Sequence, residues 1–390
     1  MVKYPLANTA WDKEEYSAIK SVIDSDRFTM GDNVMNFENA FADYIGSKYC
    51  VMVNSGSSAN LLAVAALFYC ANNQLSRGDE VIVPAVSWST TYYPLHQYGL
   101  KLKFVDIDIN TLNYDLDSLK NAVSDSTRLI VVVNLLGNPN DFQALNDIVA
   151  DKNIVMIEDN CESMGAKYKN RFTGTFGKLG TFSTFFSHHI STMEGGMIVT
   201  DDDELYQILL SLRSHGWTRN LPKNNLICGK LDNDPFYESF NFVLPGYNVR
   251  PLEMSGAIGL KQLEKLPNLI EERRKNFSFF EELFAHHPHF SIQKEIGESS
   301  WFGFALILKK DSPASRTEFV KLLSKNGIEC RPIVAGNFTK NPVIKWFNYE
   351  IHETLTNANI INDAGFFVGN HHYDISEQLL HLNKTLYEVC

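Results

Sequence analysis

Five short apolar runs punctuate the N-terminal part of the chain, and they read as continuous rather than alternating. They are 49–54 (YCVMVN), 80–84 (EVIVP), 101–106 (KLKFVD), 129–134 (LIVVVN) and 154–159 (IVMIED). Runs of this kind suit strands covered on both faces, which have no solvent side to mark with polar residues. Stretches of helical period lie between them, such as ANLLAVAALFY at 59–69, DLDSLKNAV and DFQALNDIVAD. That succession predicts an α/β fold with a mostly parallel sheet. Ligands of open α/β sheets collect beyond the carboxyl ends of the strands. The residues just after each run are therefore the place to look for chemistry.

The rest of the chain fits around that sheet. Asn8 and Thr9 precede WDKEEYSAIKSVI, a helix start with an acidic first turn. Residues 251–285 are charged and helical in period, and read as a linker helix with a break expected at Pro267. They separate a large domain (1–250) from a small C-terminal α/β domain (286–390). Strand, helix and strand are expected there in SSWFGFALILK, SRTEFVKLLSKNG and IECRPIV, with SEQLLHLNKTLYEV as a closing helix.

Composition narrows the partners. A formal net charge of −11 argues against nucleic acid. The six cysteines, at 50, 70, 161, 228, 330 and 390, form no C-x-C or C-x-x-C group. They predict a reduced chain without a metal centre or an iron–sulfur cluster. No apolar run is long enough to cross a bilayer, and the first residues lack an apolar signal core, so a cytoplasmic protein is expected.

Several short constellations follow the predicted strands. Asn54-Ser55-Gly56-Ser57-Ser58 combines a permissive glycine, hydroxyl donors and a helix start, which together favour a phosphate. Taken alone it is an ordinary capped turn. Asp159 ends the fifth run, where a carboxylate can pair with a protonated ring nitrogen or merely cap a helix. Trp88, in PAVSWSTT, can stack on a flat ligand or belong to the core. The segment 181–200, TFSTFFSHHISTMEGGMIVT, sets a histidine pair before a polar turn.

The order and spacing of these segments resemble the DegT/DnrJ/EryC1/StrS sugar aminotransferases, which use pyridoxal phosphate (PLP). NSGSS, PAVSWSTT, FVDID, IEDNCESMGA, FGKLGTFS, EGG and GYNVRPLEMSGAIGLKQL occur in the family's order. The resemblance implies the fold of PLP-dependent transferases of fold type I, with the large domain holding the cofactor. It implies that Gly56, Ser57 and Ser183 hold the phosphate, that Trp88 stacks on the ring and that Asp159 pairs with the ring nitrogen. Glu162 stands where many members have Gln, and is expected near the phenolic oxygen. A homodimer with shared active sites is also implied, with Asn248 reaching the phosphate of the neighbouring subunit's cofactor. Ser187, His215, Arg219, Arg250, Glu329 and Arg331 are candidate substrate contacts, the arginines for their bidentate fit to carboxylate or phosphate.

One departure from the family's pattern decides the expected reaction. Members read roughly S-F-x-x-x-K-N-x-x-x-x-E-G-G, and counting back from Glu194 puts the lysine slot on His188. Lys178 lies ten positions upstream and fits the F-G-x-x-G segment instead. A histidine cannot tether the cofactor, yet it can act as a base with an unperturbed pKa near ~6.5. Such a histidine resembles the PLP-dependent 3-dehydratases of nucleotide-linked 4-keto-6-deoxy sugars. Of their two kinds, one works with an iron–sulfur cluster and the other, acting on a GDP-linked sugar, does not. With Cys50 and Cys70 the nearest cysteine pair, the cluster-free kind fits better. The expected reaction runs from pyridoxamine phosphate (PMP), removes the C3 hydroxyl, releases ammonia and consumes L-glutamate. A sugar aminotransferase with a histidine base, or a non-catalytic PLP-binding member, are the alternatives.

Overall fold

Each of the five apolar runs is a strand in the computed structural model, which describes residues 3–150 and 152–388. They are β1 (Tyr49–Val53), β2 (Glu80–Pro84), β3 (Lys101–Val105), β4 (Thr127–Val133) and β5 (Val155–Asp159). β2 and β5 are buried at every residue, as their unbroken apolar reading requires. Three more strands complete an eight-stranded sheet. Its order is β1, Gly196–Thr200, Leu179–Ser183, β5, β4, β2, β3, Tyr349–Ile351. Only Gly196–Thr200 runs antiparallel to its neighbours. The carboxyl ends of β1, β2, β4, β5 and Leu179–Ser183 therefore open on one side.

A second, antiparallel sheet of four strands is built from Phe290–Ile292, Gly303–Leu308, Gly365–Gly369 and Cys330–Arg331. Helices Arg316–Lys325 and Ser376–Tyr387 accompany it. Its core is aromatic, with Trp301 stacked on Phe277 at a centroid distance of 3.5 Å.

One helix serves both cores. Glu253–Phe284 is a single element of 32 residues, about 48 Å long, and passes through Pro267 without ending. The break expected at Pro267 does not occur. A proline inside a helix costs about 3 kcal/mol through its lost donor and its clash with the preceding turn. Against that, Leu263, Leu266 and Leu269 are buried beside the large sheet, and Phe277, Phe280 and Phe284 beside the small one. At roughly 1.5–3 kcal/mol per buried side chain, these anchors outweigh the proline.

The edge strand Tyr349–Ile351 escaped sequence reading. It has three residues, two of them exposed and one half-buried, and it pairs parallel with β3. Lys103 of β3 holds it from beneath. The ammonium lies 2.8 Å from Glu80 and 3.1 Å from Glu350.

Candidate active site

The open strand ends enclose a cavity of about 690 Å³. On one side it begins with β1. Ser55, just after that strand, caps helix Gly56–Ala66 by accepting a hydrogen bond from the Ser58 amide at 3.0 Å. The amides of Gly56 and Ser57 remain at the open helix end, where an anion is favoured by both the free donors and the helix dipole. Ser183 closes the cradle from the end of its strand. A Cβ on residue 56 would sit 2.6 Å from that of Ser183, so the close approach requires glycine. Ser57 Oγ lies 3.1 Å from Thr90 Oγ1, which ties the cradle to the next strand end.

Opposite the cradle, Asp159 ends β5 at the cavity wall. Its Oδ2 accepts hydrogen bonds from Asn60 Nδ2 at 2.8 Å and Thr91 Oγ1 at 2.7 Å. Its Oδ1 accepts one from the Cys161 amide at 3.2 Å. Thr181 donates to Asn60 Oδ1 at 2.6 Å, and Ser87 lies 2.8 Å from Thr91. Those outer partners fix the donors, and the donors fix the carboxylate. An ionised carboxylate has about four lone-pair sites, so it keeps acceptor capacity toward the cavity. Asn60 and Thr91 were not singled out from sequence. The signal was present for Asn60, the one amide in the run ANLLAVAALFY.

Glu162 also lines the cavity and accepts a hydrogen bond from the Leu136 amide at 3.1 Å. Burial pushes its carboxyl up to about 7; the Leu136 bond opposes that shift and the neighbouring Asp159 adds to it. Trp88 stands at the mouth, 56% exposed, before helix Ser89–Gln97.

His188 and Ser187 line the cavity from the loop between strands Leu179–Ser183 and Gly196–Thr200. That loop is fastened to itself. Thr184 Oγ1 and Thr192 Oγ1 are 2.6 Å apart, and the His188 amide donates to Phe185 O at 2.9 Å. The His188 ring is half-buried against Phe185 and Phe302, with centroids at 5.9 and 5.2 Å. Its Nδ1 is buried without a partner, which leaves Nε2 as the nitrogen that can meet a ligand. Desolvation, together with repulsion from Arg273, lowers its pKa to about 4. The ordinary value assumed from sequence is thus corrected: the imidazole is neutral at neutral pH, because its apolar wall and a nearby cation both disfavour the charged form. His189 turns the other way and lies 3.0 Å from Ser300 O.

No lysine lines this cavity among the described residues. Lys178 precedes the far end of its strand and pairs with Asp202 at 2.5 Å. Arg331 is the cation in the lining. Glu329 reaches the site indirectly. Its Oε2 accepts from the Leu6 amide at 2.9 Å, and Leu6 and Ala7 form part of the cavity wall.

His215, Arg219, Asn248 and Arg250 are brought together elsewhere, around Trp217. The Arg219 guanidinium lies 4.2 Å and that of Arg250 5.7 Å from the Trp217 ring. Arg250 Nε donates to Asn248 Oδ1 at 3.0 Å, and the His215 ring meets Trp217 edge-on at 4.6 Å. Exposed Phe240 and Phe242 flank this group.

The residues present fit a phosphorylated pyridine cofactor. A glycine-dependent anion cradle, a braced carboxylate and an aromatic at the mouth share one cavity of suitable size for a small-molecule ligand. The arrangement defines a site of the fold-type-I class. The profile of the DegT/DnrJ/EryC1/StrS aminotransferase family matches residues 9–374, and the chain belongs to that family. It is 61% identical over 387 residues to the GDP-4-keto-6-deoxy-D-mannose 3-dehydratase of Yersinia pseudotuberculosis, covering 99% of this chain and 98% of the relative. The solved structure of the E. coli GDP-4-keto-6-deoxy-D-mannose-3-dehydratase with bound hydrated PLP superposes with a TM-score of 0.98, at 59% identity over 99% of this chain and 100% of that one. An H188N mutant of GDP-4-keto-6-deoxymannose-3-dehydratase, solved with bound GDP-perosamine, gives 0.97 at 59% identity over 98% and 100%.

Proposed function

We propose that the chain is a PLP- and glutamate-dependent 3-dehydratase of GDP-4-keto-6-deoxy-D-mannose. The observation that carries the reading is a cofactor cavity lined by His188 and, among the described residues, by no lysine. The names of the near-full-length relatives supply the nucleotide and the sugar. The cofactor supplies an amine that condenses with the C4 ketone and a ring that accepts an electron pair as the C3 hydroxyl departs.

The chain's own residues do the rest. Gly56, Ser57 and Ser183 hold the phosphate, and Trp88 covers a ring face. Asp159 holds a proton on the pyridine nitrogen, since an anion beside it raises that nitrogen's pKa. Glu162 lies toward the phenolic oxygen. His188 Nε2 removes a proton from the C4′ carbon and delivers it to the departing C3 oxygen. Its depressed pKa suits both moves, because the free base predominates before the step and the acid formed is strong enough to give the proton up. No lysine ammonium competes for the cofactor's aldehyde in the cavity. Glutamate restores the amine; Arg331 and Ser187 line the cavity where substrate would sit, and Glu329 braces its Leu6 wall.

The face around Trp217 belongs to the same reading. In a homodimer, His215, Arg219, Asn248 and Arg250 complete the partner's site, and the exposed phenylalanines pack between copies. The enzyme is cytoplasmic and serves 3,6-dideoxy sugar (colitose-type) synthesis for lipopolysaccharide O-antigen. A panel of GDP-, CDP-, UDP- and dTDP-linked 4-keto-6-deoxy sugars, assayed with PLP and glutamate, tests the assignment. With the GDP sugar, a 3-deoxy ketone is expected from the sugar, and ammonia and 2-oxoglutarate from the glutamate consumed; an amino sugar as product would overturn it.

A further inference from the structure

Arg273 is a buried cation with no anion. It sits in the long helix Glu253–Phe284, 5% exposed, and no carboxylate among the described residues pairs with it. Its Nη1 donates to three backbone carbonyls, Asn370 O at 2.8 Å, Phe302 O at 3.2 Å and Trp301 O at 3.5 Å, and its Nε has no partner. A buried charge without a counter-ion is expensive, and a fold that served only stability would place a neutral side chain here.

Two of these carbonyls, those of Trp301 and Phe302, belong to the turn that shapes the His188 wall. Trp301 adopts a positive φ of 45°, strained for a bulky residue. Phe302 follows it, and its ring lies against both His188 and His189. Ser300 O, one residue earlier, meets His189. A single guanidinium thus pins the turn 300–302 from behind while the turn's aromatic ring abuts the catalytic loop.

We propose that Arg273 is a positioning residue for His188: its guanidinium holds the Trp301 and Phe302 carbonyls, fixes the Phe302 ring against the imidazole and sets a buried, unpaired cation behind that wall. The inference rests on His188 being the base of the proposed reaction. Arg273 contributes to the lowered pKa of His188, His189, His371 and His372, in each case after desolvation. The other charged groups that line the cavity with His188 are Glu162, Asp159, Glu194 and Arg331. Arg273 is the charged group that contributes to the lowered pKa of His188.

Titration of the histidine imidazoles by NMR, on the full chain with 15N-labelled histidine, tests the proposal. The His188 signal is assigned as the one missing in His188→Asn. In the unsubstituted protein, His188 should stay neutral down to about pH 5. In Arg273→Met its pKa should rise by about one unit or more toward the ordinary value. Arg273→Lys keeps the charge and should hold the titration low, while its poorer fork loosens the Phe302 wall and lowers kcat. An unchanged His188 titration in folded Arg273→Met would overturn the proposal. So would a His188 of ordinary pKa in the unsubstituted protein, a measurement that needs no variant to fold. Failure of the base assignment shows separately, as undiminished turnover in His188→Asn.

Discussion

Gly56 has a Cβ-sized gap of only 2.6 Å to Ser183 and 3.0 Å to the Cys161 sulfur. Gly56→Ala should therefore push the helix start away from the strand end. Overpacking of this kind costs about 1–3 kcal/mol, and PLP affinity, read by fluorescence titration, should fall about tenfold or more, since each ~1.4 kcal/mol is a factor of ten. Unchanged affinity would mean that the cradle is looser than its geometry. Glu162 yields a second prediction, with a sign set by its raised pKa. A carboxyl near 7 in the fold and near ~4.5 unfolded costs stability as pH rises through that interval. In cofactor-free protein, Glu162→Gln should be the more stable at pH 8 by on the order of 2 kcal/mol, with the difference vanishing toward pH 5. Urea midpoints at the two values measure it; a pH-independent difference would show the carboxyl ionising normally. These residues differ in how far sequence reveals them. The slot of His188 was readable because spacing to Glu194 is local. Its ionisation was not, because that is set by Phe302 and Arg273, which only the tertiary fold brings near.

The elements that frame the site were mostly legible for one reason: strands buried on both faces leave an unbroken apolar run. β1 to β5 and the closing helix announce themselves in this way or by helical period. What escaped reading depends on distant partners. Helix Asp32–Ile45 begins at Gly31, which has no side chain to cap it. The cap comes from Glu253, the first residue of the long helix. Its carboxylate accepts from the amides of Gly31 and Asn33, each at 2.6 Å, and from Asn33 Nδ2 at 2.9 Å. It is 3% exposed, so water cannot replace it. Hydrogen bonds to a charged group are worth roughly 1.5–3 kcal/mol each when buried partners would be orphaned. Glu253→Ala should cost on the order of 3 kcal/mol and melt the first turn of Asp32–Ile45. Hydrogen exchange at Asn33 and Val34 reads that turn directly, and protection left intact in the variant would argue against the cap. The failed expectation at Pro267 has the same origin. Local chemistry predicts a break there, and two hydrophobic cores on one helix override it.

At the scale of the whole molecule, five buried or half-buried histidines set how the protein responds to acid. His188, His287, His371 and His372 have pKa values lowered to about 4, and that of His189 is held well below its ordinary value. Burial is the first cause in all five. Arg273 adds repulsion for four of them, and His289 and Lys309 do so for His287. In the unfolded chain these imidazoles return to about 6.5. The unfolded state therefore binds protons that the native state refuses, so stability is complete above about pH 6.5 and falls as pH drops toward 4. Each such proton is worth about 1.4 kcal/mol per pH unit where the two states differ fully. Glu162 works against this trend, since its carboxyl gains its proton more readily in the fold, but it is one group against five. Carboxylates held low, such as Asp12, Glu15 and Glu80, add to the loss only at a lower pH, below about 4.5. The window between pH 6.5 and 5.5 thus belongs to the histidines, and a loss on the order of 3 kcal/mol is expected across it. Urea unfolding of the cofactor-free protein at a series of pH values measures the slope. Replacing His371 and His372 by Gln should reduce it without touching the cavity. A midpoint that stays flat from pH 7 to 5.5 would mean that the histidines titrate as freely in the fold as outside it, and would remove the electrostatic basis for a neutral His188.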